Sequence, residues 1–89
     1  MSIVQVNEPH LAAPLIFGIV YGYLHPDKPS PSTDSKLTDL LVDSLDYLEF
    51  FMELENENEK LKFSDNEVAS MKDMTVNDLV DRMVEKLRS

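Results

Sequence analysis

The stretch that most restricts how this chain can fold lies near its C-terminus. In "TVNDLVDRMVEKL", Val76, Leu79, Val80, Met83, Val84 and Leu87 recur at helical spacing and form one apolar stripe. Thr75 stands where an N-cap belongs, and Lys86 and Arg88 sit near the C-terminal end, where the helix dipole favours positive charge. A helix striped on one side has to pack that side against something. Here the partner must come from a chain of 89 residues with no cysteine, so neither a disulfide nor a thiolate metal site can staple the fold. That length is near the size at which a single core just suffices. The expectation is one small all-α domain spanning 1–89, with this last helix over 75–88.

Two further segments read as helices. "SDNE", residues 64–67, is a capping-box signature ahead of Val68 and Met71 and predicts a short helix over 64–72. "SLDYLEFFMELENENE" predicts a longer one over 44–59, on which Asp46, Glu49, Glu53 and Glu57 fall on a narrow acidic stripe. Leu45, Leu48 and Met52 line up beside that stripe, and Tyr47, Phe50, Phe51 and Leu54 take the far side. Two arrangements fit this pattern. Either the whole apolar arc is core and the acids are a solvated face, or only the aromatic side is core and Leu45, Leu48 and Met52 stay accessible as a docking strip. Met52, Met71, Met74 and Met83 read as core filler and not as ligands.

The N-terminal part is different in kind. "LAAPLIFGIVYGYL", residues 11–24, contains no charged residue, yet it is too short to cross a bilayer as a helix. "MSIVQVNEPH" has no Lys or Arg, so it does not read as a secretory leader, and the chain is expected to be cytoplasmic. Gly18, Gly22 and the β-branched residues would suit a strand, but Ile16, Val20 and Leu24 keep a four-residue spacing. We therefore expect an apolar first helix within 1–24, started by Asn7 with Pro9 just inside, or by Pro14. "HPDKPSPSTDSK" follows, with three prolines and three serines, and predicts a long surface loop over 25–39. Leu37 and Leu40 resume the apolar pattern and are expected to pin the end of that loop to the core.

Charge narrows the function. The net charge is −9 and the sequence pI about 4.4, which argues against nucleic acid and for a partner with a basic surface. Residues up to Lys36 carry three acids and two bases, a net of −1; the remainder carries fourteen acids and six bases, a net of −8. His10 and His25 are too few and too far apart in sequence for a zinc site. Ser44 has no local base to activate it, and no base–nucleophile or metal set can be assembled, so an enzyme is not expected.

The run "LTDLLVDSLDYLEFFMELENE", followed at distance by "TVNDLVDRMVEKL", resembles the acyl carrier proteins. The likeness covers roughly 37–87 and rests on "DSLD" opening an acidic amphipathic helix, preceded by Leu-x-x-Leu and followed by "TV". It implies a small four-helix bundle with a long loop between helices 1 and 2. Ser44 would carry 4′-phosphopantetheine, attached from coenzyme A by a phosphopantetheinyl transferase, with Asp43 the acid immediately before it. Leu45, Leu48 and Met52 would line the patch that acyl synthases and transferases contact, and Asp46, Glu49 and Glu53 would meet basic residues on those enzymes. The cargo would be acyl intermediates of fatty-acid or polyketide-like synthesis, held as thioesters on the arm.

The chain departs from the family pattern at several points. Leu41 stands where the family usually has glycine, which predicts a differently shaped loop entering Ser44. Asn58 replaces an apolar residue near the end of the second helix, with Leu61 and Phe63 as compensating candidates. Residues 11–24 are far more apolar than the family's charged first helix and form a candidate surface for a dedicated partner or for self-association. Two other functions fit: an aminoacyl carrier, or an unmodified carrier-like interaction module in which Ser44 is only a helix cap.

Overall fold

The computed structural model describes residues 8–41 and 43–88. Among them it contains five α-helices, α1 (Pro9–Leu24), α2 (Leu37–Leu40), α3 (Ser44–Glu57), α4 (Asp65–Ser70) and α5 (Val76–Arg88), with a 3₁₀ turn at Glu59–Leu61 and no strand. The all-α expectation holds, but there are five helices where four were expected. The additional one is the single turn α2, formed where Leu37 drops into the core at the end of the loop. The 44–59 helix divides at Asn58, whose extended backbone ends α3 and whose side chain accepts from the Lys60 N–H to start the 3₁₀ turn.

Local chemistry accounts for most helix ends. Pro9 occupies the first position of α1, where its missing N–H costs nothing, and the Glu8 carbonyl accepts from the Leu11 and Ala12 N–H groups. Asn7, expected to precede Pro9 at that start, lies outside the described residues, and Pro14, the other candidate, lies inside the helix. Pro14 deprives the His10 carbonyl of its helical donor, but both residues are exposed and water can serve that group. Ser64 and Glu67 form the capping box of α4. Thr75 and Asp78 make the same reciprocal pair at the start of α5.

The core explains part of the apolar character of the first segment. Helix α1 packs against both α3 and α5, burying Ala12, Ile16 and Val20 along one row and Ala13, Phe17 and Tyr21 along the next. Packing on two sides accounts for these two rows, whereas Leu11, Leu15 and Tyr23 on the rest of α1 are uncharged yet 49%, 51% and 72% exposed. Phe17 meets Phe50 of α3 at 5.2 Å between ring centroids, and edge-on contacts continue from Phe50 to Phe51 and from Phe51 to Phe63. Leu61, Leu79 and Met83 are fully buried in the same cluster.

The long loop is held by main-chain bonds that sequence periodicity could not announce. The Leu37 N–H donates to the Met74 carbonyl, while the Val76 and Asn77 N–H groups donate to the Ser35 and Thr33 carbonyls. These bonds form an isolated antiparallel bridge at Lys36 and Thr75 and tie the loop to the start of α5. Lys86 lies in the last turn of α5, where the helix dipole favours it, and there also pairs with Glu67 at 3.2 Å and lies over the Phe63 ring. No helix among the described residues is long and apolar enough to cross a membrane.

Candidate functional site

Ser44 is the first residue of α3 and is exposed. It is not the N-cap. Asp43 fills that role, its carboxylate accepting from the Leu45 N–H at 3.0 Å. The serine hydroxyl is therefore not consumed in starting the helix.

Beneath Ser44 the helix is tied to its neighbour. Tyr47, one turn on, is buried and its hydroxyl donates to the Val68 carbonyl, binding α3 to α4. Burial raises this phenol to a pKa of about 12. On the other side Leu41 is only 3% exposed and anchors the approach to Ser44 from the core. Its φ of −117° is ordinary for a leucine, so position 41 does not adopt the left-handed backbone that a glycine would permit.

The two sides of α3 separate cleanly. Tyr47, Phe50, Phe51 and Leu54 are buried, whereas Leu45, Leu48 and Met52 are 62%, 51% and 65% exposed. Of the two arrangements open to the sequence, the one with an accessible apolar strip is present. The reading of Met52 as core filler is thereby corrected: α3 turns it away from α1, while Met71 and Met83 are buried and Met74 is partly buried against the core.

The acids beside the strip are not equivalent. Glu49 is exposed and Glu53 half-buried, with an exposed 3.4 Å contact from Asn56. Asp46, expected to face partners, is engaged within the chain: its Oδ2 lies 2.8 Å from His25 Nε2. His25 caps the end of α1, and its ring meets that of Tyr21 at 4.7 Å. Burial, and secondarily the Asp46 charge, raise the Tyr21 pKa above its ordinary value. This link joins the end of α1 to the first turn of α3. His25 carried no sequence signal for it, since the residue precedes a loop of unpredictable path.

Two small clefts open at Ser44. One, of about 250 Å³, runs between α3 and α4 past Tyr47, Leu48, Val68 and Ala69; the other, of about 200 Å³, reaches Thr38 and Leu41. Lys72 lines both. A separate open groove of about 480 Å³ lies between the end of α1 and α3, where Lys28 shares the walls with Asp43, Asp46 and Glu49. Among the described residues no group of three or more His, Asp or Glu is placed to hold a metal ion. The chain matches no protein-family model, no curated protein and no solved structure.

Proposed function

We propose that this chain is a non-catalytic carrier of acyl groups, modified at Ser44 with 4′-phosphopantetheine. The observation that carries the reading is the position of Ser44. It is exposed and uncommitted to capping, at the head of a helix whose apolar strip and acids face outward beside it. The resemblance of the "DSLD" segment to the acyl carrier proteins supplies the chemistry. The clefts at Ser44 offer both apolar wall and a cation to such an arm, so the residues fit the group.

Attachment would need little from this chain. The Ser44 oxygen displaces the nucleotide of coenzyme A at the phosphorus bearing the pantetheine arm. The nucleotide leaves, and the serine proton goes to a base of the transferase. Once attached, the arm supplies the thiol on which an acyl group is carried as a thioester. Leu45, Leu48 and Met52 give partner enzymes an apolar footing, and Glu49 and Glu53 draw their basic residues. Asp46 holds His25 and contributes its charge from a fixed position.

The test is intact mass after incubation with coenzyme A and a broad-specificity phosphopantetheinyl transferase, for wild type and Ser44→Ala. A gain of one phosphopantetheine unit in wild type alone supports the carrier reading. No gain by folded wild type, with cognate as well as broad transferases, moves the assignment to an unmodified interaction module. Buried Leu41 in place of the family's glycine is the observation favouring that second reading.

A further inference from the structure

Modification at Ser44 would place a phosphodiester, one more negative charge, on a chain whose net charge is already −9. The ground there is acidic. Asp43 precedes the serine, Asp46 follows it, and Asp65 lines one of its two clefts. Lys72 is the one basic side chain lining those clefts. It is exposed, and it makes no ion pair with any described residue.

Its placement follows from the packing. Met71, immediately before it, is 2% exposed and ends α4, so the backbone carrying Lys72 is anchored in the core. The Tyr47–Val68 hydrogen bond fixes α4 against the first turn of α3. Lys72 is thus held at the site although its side chain pairs with no acid among the described residues.

Building on the carrier reading, we infer that Lys72 is the counter-ion of the phosphodiester at Ser44, biasing the arm over the clefts that the two residues share. An ammonium and a phosphodiester attract by charge, and at an exposed site that attraction is modest and screened by salt. The consequence is a difference between loaded and unloaded protein, not a requirement for folding.

The experiment loads wild type, Lys72→Met, Lys72→Gln, Lys72→Arg and Lys62→Met with coenzyme A and transferase, and confirms loading by intact mass. Lys62 is the control, an exposed lysine that lines neither cleft. Thermal midpoints of loaded and unloaded forms are compared at low salt, together with the ³¹P shift of the loaded forms. In Lys72→Met and Lys72→Gln, loading should change the midpoint less favourably than in wild type by about 2–4 °C. That gap should be absent in Lys72→Arg and Lys62→Met, and should close in about 0.5 M sodium chloride. The ³¹P signal should move in the same two variants. Loaded Lys72→Met and Lys72→Gln behaving like loaded Lys62→Met would overturn the inference and leave the carrier reading intact. Failure of wild type to load would remove the carrier reading, and this inference with it.

Discussion

Tyr47→Phe tests the join between α3 and α4 that supports Ser44. The substitution keeps the ring and removes one oxygen, so packing against Phe51 survives while the Val68 carbonyl loses its donor. A buried hydrogen bond broken on one side costs about 1–2 kcal/mol. For a domain of this size each kcal/mol moves the thermal midpoint by roughly 4–8 °C, so a fall of about 5–15 °C is expected. The same hydroxyl predicts a pH dependence whose sign is fixed. Its pKa is about 12 in the folded protein against 10.0 for an ordinary tyrosine. The unfolded chain therefore loses this proton first. The stabilisation is complete below pH 10 and declines as pH rises towards 12, by about 1–3 kcal/mol in all. Urea denaturation followed by far-UV circular dichroism from neutral pH to pH 12 measures both effects. The quantity to read is the difference between wild type and Tyr47→Phe, which cancels contributions common to both and should shrink towards zero at the alkaline end. Parallel curves would refute the burial of this hydroxyl, and a neutral-pH cost below about 0.3 kcal/mol would refute its bond to Val68.

Other outcomes follow from the same packing. Gly18 and Gly22 lie inside α1 with ordinary negative φ, and a Cβ on either meets nothing within 4 Å. Gly18→Ala and Gly22→Ala should each stabilise by about 0.5–1 kcal/mol in urea melts, and a loss would show that the outer face of α1 is covered. Leu41→Ala should cost about 2–4 kcal/mol by the same assay, because Leu41 is core and its backbone does not need glycine. Glu67 has its pKa lowered, first by the Ser64 N–H and then by Lys86, so its contribution is complete above the ordinary value of 4.5 and fades as pH falls. Glu67→Gln should accordingly flatten the acid limb of the stability curve, and an unchanged limb would show that the capping box contributes little.

The sequence shows what acts within a few residues. Ser64 with Glu67, and Thr75 as an N-cap, announce helix starts because the groups that bond are three residues apart. The return bond, which the Asp78 carboxylate accepts from the Thr75 N–H, carried no reading in the sequence. The stripe on α5 and the aromatic side of α3 were legible because helical spacing puts side chains three and four apart on one face. That reasoning assigns residues to faces. It does not say which face a neighbour covers, and Leu45, Leu48 and Met52 stayed ambiguous until α1 was seen to pack on the opposite side of α3.

The uncharged segment 11–24 posed the same difficulty. Sequence established that it was apolar and too short to span a bilayer. Only the tertiary arrangement showed α1 between α3 and α5, which accounts for two buried rows where one apolar stripe would serve a surface helix. The contacts that build the Ser44 site are decided at the same level. His25 meets Asp46, and Tyr47 meets Val68, each across 21 residues. Lys72 reaches the clefts of Ser44 only because α4 is folded back onto α3. Helix propensity, capping and periodicity are written in neighbouring residues, so the sequence by itself determined four of the five helices and how polar and apolar residues are spaced along them. The path of a proline-rich loop carries no such period, so what it brings together, and therefore which groups surround Ser44, was left to packing and long-range hydrogen bonds.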